Sequence, residues 1–168
     1  SILGPLLFLL FIDDIRKLSQ NMNFILFADD TTVTISHYDI NQLNEIANNE
    51  FKKIQKWLHS NKLICNASKT HLMIFSNRKY NPDVIKIDFD GIEIKQVKNS
   101  KFLGVVVDDR LTWNEHIDSL STTLSRNIGV INKLYYLPKH ILMNLYFTMI
   151  YPFLLYCIVI WGDSSLNN

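Results

Sequence analysis

Residues 23–34 read Asn23-Phe24-Ile25-Leu26-Phe27-Ala28-Asp29-Asp30-Thr31-Thr32-Val33-Thr34. Two β-prone runs, Asn23–Phe27 and Thr31–Ile35, flank the junction Ala28-Asp29-Asp30. The second run alternates threonine with apolar residues, the period of a half-buried strand. Successive side chains on a strand point to opposite faces, but at a tight turn both carboxylates can crowd one edge. Two like charges about 4 Å apart repel by about 1 kcal/mol in water and about 4 kcal/mol at an effective dielectric of 20. Phe24–Ala28 on one side and Val33 and Ile35 on the other are expected to give this pair a dry base. A divalent cation would neutralise it. Mg²⁺ takes carboxylate oxygens and completes its shell with water and phosphate oxygens. Two such ions about 4 Å apart serve both the attacking and the leaving oxygen of a phosphoryl transfer. An Asx turn would show the same residues. Asp13-Asp14 and Asp108-Asp109 are equally acidic, and read as helix-end and turn chemistry respectively.

The rest of the chain bounds what such a junction can belong to. There are 168 residues, 48% of them apolar and 20% charged, with a net charge of +1. That length is one domain, or one domain with a helical appendage. The apolar fraction excludes wholesale disorder, and five Gly with four Pro exclude collagen-like and linker-like chains. Cys65 and Cys157 cannot build a disulfide framework or a Cys-rich zinc site, and fit a reducing compartment. The charge is uneven. Residues 1–38 hold two basic and four acidic groups, whereas Lys52–Lys101 holds eleven Lys or Arg against four Asp or Glu. Trp57, Phe75 and Tyr80 are interleaved in that basic window. An acidic stretch beside a basic one suits a site where metal ions meet a polyanion, although a solvated surface has the same count.

Two apolar stretches raise a membrane question. Ile2–Ile12 is too short to span a bilayer, lacks a basic lead-in and a cleavage site, and is expected to be a buried helix. Ile141–Trp161 has 21 uncharged residues, but Pro152 should break it and no basic cluster flanks it. It is expected to form helices buried against protein. No membrane partner is expected.

Periodicity predicts a helix over Pro5–Leu18 and an amphipathic helix over Ile40–Leu58 capped by Asp39 or Asn41. It also predicts a strand over Thr70–Ser76, a hairpin of Val84–Phe89 with Ile92–Val97 around Asp90-Gly91, and a strand over Lys101–Val107. From Trp113 onward, Ile117, Leu120, Leu124, Ile128, Ile131 and Leu134 step by three and four, and Pro138 opens a further helix. The expected class is α+β, with a mixed part over residues 1–110 and an all-helical part over 111–168.

Five motifs in order carry a resemblance. Ser1-Ile2-Leu3-Gly4-Pro5 resembles the start of the helix after the Pro-Gln-Gly box of reverse transcriptases. Phe27-Ala28-Asp29-Asp30 resembles their aromatic-x-Asp-Asp box. Trp57–Phe75 resembles the helix, loop and Lys-bearing strand that follow it. Lys101-Phe102-Leu103-Gly104-Val105 resembles the primer-grip strand. Leu111–Ile117, with the helices ending at Trp161-Gly162, resembles the thumb of LINE-type, Jockey-like non-LTR retrotransposon enzymes.

The resemblance implies an RNA-directed DNA polymerase, a nucleotidyltransferase. It implies a partial palm over 1–110, an antiparallel hairpin with flanking helices, and a helical thumb over 111–168. Asp29 and Asp30 become catalytic metal ligands for two Mg²⁺, with Mn²⁺ as a substitute. Lys69 becomes a catalytic group near the triphosphate, or else a surface lysine on a turn. Phe27, Phe102, Leu103 and Gly104 become contacts to the primer end, with core packing or a bulge as the plain readings. A missing side chain at Gly104 would let a nucleic-acid backbone approach. Arg126 and Lys133, with Ser121, Thr122 and Ser125, become positions along a phosphate backbone, or ordinary exposed ones. The implied partners are an RNA template, a DNA primer and deoxynucleoside triphosphates, in the nucleus and cytoplasmic ribonucleoprotein. The family's upstream palm Asp, fingers and endonuclease parts are not in this sequence. The chain alone is therefore expected to be inactive and poorly soluble. A non-catalytic nucleic-acid-binding remnant and a small membrane-associated protein are the alternatives.

Overall fold

The computed structural model describes residues 3–79 and 84–163. Ser1, Ile2, Tyr80 and the last residues of the 111–168 segment lie outside the described residues. The class is α+β, with 49% of the described residues helical and the sheets small. The chain divides into two compact units, residues 1–72 with 78–96 and residues 73–77 with 97–168.

The first unit is organised on α2 (Ile40–Ser60). Asp39 caps it, its carboxylate accepting from the Asn41 and Gln42 amides at 2.7 and 3.1 Å. Ala47, Ile54 and Trp57 are buried along one stripe. Beside that stripe, a polar row sews the helix to backbone. Asn44 and Asn48 pair with the Lys86 N–H and carbonyl, Gln55 donates to the Asp88 carbonyl, and His59 meets Asp90. This seats β4 (Asp88–Phe89) and β5 (Ile92–Glu93), an antiparallel pair. Their turn, Asp90-Gly91, has φ of 54° and 78°. Two positive values are the type I′ geometry that Asp-Gly favours. Ile85, Ile87, Phe89 and Ile94 fill the core of this unit. β3 is only His71–Leu72, parallel to β6 (Lys95–Gln96), so the strand expected over Thr70–Ser76 is shorter than its composition suggested.

α1 (Leu3–Ile12) forms as expected and passes into a 3₁₀ turn over Asp13–Lys17, where Asp13 pairs with Arg16. The expectation that this apolar stretch is buried fails. Leu3, Leu6, Leu7, Leu9, Leu10 and Phe11 are 43–68% exposed. The helix is apolar all round, and its ring contact with α2 is Phe11 on Trp57, on one side only. β1 (Asn23–Phe27) and β2 (Asp30–Thr34) then form an antiparallel hairpin.

The second unit starts from another hairpin. The single strand expected over Lys101–Val107 is instead two, β7 (Asn99–Phe102) and β8 (Val105–Asp108), reversing at Leu103-Gly104. Phe102 pairs with Val105 across the reversal, which a linear reading of the run cannot distinguish from one strand. Asp108 then accepts from the Arg110, Thr112 and Trp113 amides at 2.8–3.0 Å. Burial raises its pKa, but these hydrogen bonds outweigh that and hold the carboxyl below the usual aspartate value. This turn launches α3 (Asn114–Lys133), with Trp113 left-handed at φ 65° at its start.

α4 (Lys139–Met149) and α5 (Tyr151–Leu155) follow, broken ahead of Pro152 as predicted, and α6 (Ile158–Trp161) ends the series. No helix among the described residues is long and apolar enough to cross a membrane. The expectation that these helices are buried holds only at Ile150 and Trp161. Tyr146, Phe147, Tyr151, Phe153, Leu155, Tyr156, Ile158, Val159 and Ile160 are exposed, because these short helices carry apolar residues on more sides than their neighbours cover.

Candidate functional site

In the first unit, Phe27 pairs with Asp30, leaving Ala28 and Asp29 as the two-residue turn of the β1–β2 hairpin. Ala28 has φ 51°, whereas Asp29 is not in the positive region. A positive φ at the first turn position alone is the type II′ pattern, which normally takes glycine there. A Cβ at that position costs roughly 1–3 kcal/mol, a strain found at functional turns. Cross-strand partners share a face, so Phe27 and Asp30 lie on the same side of the hairpin.

The base of this turn is not dry. Phe27 is 59% and Ile25 48% exposed, and Asp29 and Asp30 are exposed too. Among the described residues these two strands pair only with each other, so both outer edges of the hairpin are without a strand partner. Neither carboxylate has an ion pair or a side-chain hydrogen bond among the described residues. Two unpaired hard oxygen donors fit Mg²⁺, which takes its remaining ligands from water and phosphate. No group of three or more His, Cys, Asp or Glu among the described residues is placed to hold a metal.

What steadies this hairpin was not legible in the motif. Glu50 is 4% exposed on the buried stripe of α2. It accepts from Asn21 at 3.0 Å and pairs with Lys53 at 2.8 Å. Burial raises its pKa, but the hydrogen bonds from Lys53, Asn21 and Ser19 outweigh it and keep the carboxylate ionised. Asn21 and the buried Met22 lead directly into β1, so Glu50 fixes where the hairpin leaves α2. The signal was its register, positions 47, 50, 54 and 57, which puts a carboxylate on an apolar face. Lys69 is exposed on a tight turn closed by its amide and that of Thr70 to the Asn66 carbonyl. It is not bonded to either aspartate.

In the second unit Leu103 and Gly104 form the β7–β8 turn, and Phe102 ends the strand that leads into it. Leu103 and Gly104 have φ of 45° and 91°. A Cβ on Gly104 would lie 3.2 Å from the Tyr156 ring, so the missing side chain makes room for a tyrosine of the same unit. Arg126 and Lys133 are exposed on α3, seven residues apart and hence on one face. Ser121 and Ser125 line a groove of about 310 Å³ on that helix with Ile117, Leu120, Leu124 and Ile128. Thr122 donates to the Asp118 carbonyl.

The family model for reverse transcriptase (RNA-dependent DNA polymerase) matches residues 1–107, which include the β1–β2 hairpin and the Leu103-Gly104 turn. The chain belongs to the reverse transcriptase family. The curated relatives it resembles are named as transposon or mobile-element enzymes. It is 24% identical over its whole length to the RNA-directed DNA polymerase from mobile element jockey of Drosophila melanogaster, covering 19% of that protein. It is 24% identical over its whole length to the same fly's "Probable RNA-directed DNA polymerase from transposon BS", covering 20% of it. The counterpart from transposon X-element is 27% identical over 77% of the chain, which covers 14% of that protein. The chain thus spans a fifth or less of the relatives it matches. No solved structure gives a significant match.

Proposed function

We propose that this reverse transcriptase chain supplies the metal-binding hairpin and the primer-holding turn of an RNA-directed DNA polymerase of Jockey-like non-LTR type. Residues 1–110 are then part of the palm and 111–168 the thumb. The observation that carries this reading is the β1–β2 reversal, a strained two-residue turn that sets Asp29 beside Asp30, both carboxylates unpaired among the described residues, within the family-matched segment. Asp29 and Asp30 would hold Mg²⁺, or Mn²⁺ in its place. Bound there, the ions supply charge to the reacting phosphate and lower the pKa of the primer hydroxyl. Phe27, on the face of Asp30, would abut the primer terminus, and Lys69 would offset triphosphate charge. Phe102, Leu103 and Gly104 would hold the primer end, while Arg126 and Lys133 follow a phosphate backbone. Sequence is read by base pairing, so affinity for an RNA–DNA duplex falls steeply with salt. The partners are an RNA template, a DNA primer and deoxynucleoside triphosphates, in the nucleus and a cytoplasmic ribonucleoprotein.

In this reading the chain contributes to polymerisation as part of a larger enzyme and does not extend primers alone. Mn²⁺ titrated into ¹⁵N-labelled chain should broaden the amides of Phe27–Thr31, and not in the Asp29→Ala, Asp30→Ala variant. Broadening centred elsewhere overturns the site. Primer extension by the isolated chain with Mg²⁺, RNA template and four nucleotides should give no product. Product that Asp29→Ala abolishes would overturn the dependence on a larger enzyme.

A further inference from the structure

The β7–β8 turn has an unusual requirement. Register leaves Leu103 and Gly104 as its two loop residues, both at positive φ. Glycine adopts that conformation freely, but leucine does not, so something must hold Leu103 there. The Tyr156 hydroxyl donates to the Leu103 carbonyl at 2.5 Å, and its ring edge fills the space beside Gly104. Tyr156 is held in turn. The chain reverses at Cys157, left-handed at φ 54°, and α6 folds back so that the Trp161 indole N–H donates to the Tyr156 carbonyl at 2.9 Å. Trp161 is buried edge-on against His116, with ring centroids 5.5 Å apart. The His116 ring accepts from the Val106 amide at 3.4 Å, on the strand that leaves the same turn. Contacts therefore run from the turn through Tyr156, Trp161 and His116 back to β8. Burial holds the His116 pKa below its ordinary value, so the ring stays a neutral acceptor.

We propose that Tyr156 is a positioning residue that locks the Leu103–Gly104 turn in the geometry that meets a primer terminus. This rests on the reading of that turn as the primer-holding element. Tyr156 acts through the turn and touches no reacting atom. Because the Leu103 carbonyl and one side of Gly104 are already occupied, the turn meets a primer through its remaining surface, and its shape depends on a segment more than fifty residues downstream.

The test is Tyr156→Phe in the full chain, which keeps the ring and removes the hydroxyl. Two readouts are taken. Amide exchange at Gly104 and Val105 should quicken about tenfold, the size of one lost hydrogen bond. Anisotropy with a fluorescent DNA primer on an RNA template should show preference for a recessed 3′ end over a blunt duplex falling about fivefold, with blunt-duplex affinity unchanged. Unchanged exchange overturns the proposal, and so does faster exchange with an unchanged preference. A wild-type chain with equal affinity for both duplexes overturns the primer reading itself, and the exchange data then report separately on whether Tyr156 holds the turn. If Tyr156→Phe does not fold, Trp161→Phe removes only the indole donor and should move both readouts the same way, by about twofold. No movement in either would overturn the proposal.

Discussion

Like the Asp90-Gly91 turn of β4–β5, the two candidate-site turns each begin with a non-glycine at positive φ, Ala28 in β1–β2 and Leu103 in β7–β8. Their surroundings differ. Leu103-Gly104 is clamped by a tyrosine whose own backbone is bonded to a buried tryptophan. Ala28-Asp29 is exposed, and the carboxylates of Asp29 and Asp30 are unpaired among the described residues. A turn that must keep one shape is braced from within its unit. A turn that binds a cation keeps its donors open, because a hydrogen bond or lysine partner at Asp29 or Asp30 would compete with the ion.

The contrast breaks first at the acidic turn. Removing both carboxylates, Asp29→Ala with Asp30→Ala, should weaken Mn²⁺ binding at the hairpin at least about a hundredfold, or about 2.7 kcal/mol, with helical circular dichroism unchanged. Equal affinity in the double variant would mean the open turn holds no ion.

The braced turn gives the next largest effect. Gly104→Ala adds a Cβ at φ 91°, against the Tyr156 ring. It should destabilise the β7–β8 hairpin by about 2 kcal/mol, read as faster amide exchange at Val105–Val107. If exchange does not change, Tyr156 does not occupy that space in solution.

Asp108 closes the far end of the same hairpin. Its folded pKa lies below its unfolded value near 3.8, so its stabilisation is present above that value and is lost as pH falls through the folded one. Asp108→Asn should cost about 1.5 kcal/mol at neutral pH and flatten the acid limb of α3 unfolding below pH 3.8. An acid limb identical to wild type would place the sensitivity elsewhere.

The smallest change sharpens the comparison from the other side. Ala28→Gly relieves the unbraced strain and should stabilise the β1–β2 hairpin by about 1 kcal/mol, seen as slower exchange at Thr31–Val33. Destabilisation instead would show that Ala28 is held by contacts of its own.

Local chemistry was readable from the chain. The Asp39 cap, the Asp90-Gly91 reversal, the break before Pro152 and the β1–β2 hairpin each depend on residues within a few positions of one another. The order of motifs was enough to identify the family, because sequence similarity is itself a linear property. The Leu103-Gly104 reversal was not readable, since leucine at positive φ has no local signal and is held by a residue 53 positions away. Burial of the apolar helices was misjudged for a related reason. Composition states what a helix would bury, not whether a neighbour covers it, and α1 has its ring contact on one side alone.

The sequence by itself thus determined the family, the class and which residues carry charge at the turn. Tertiary structure decided three things: that Glu50 fixes the root of the acidic hairpin, that Gly104 makes room for Tyr156, and that Asp29 and Asp30 are unpaired among the described residues. Each depends on a contact, or the lack of one, between residues far apart in the chain, and such relations exist only once the chain has folded.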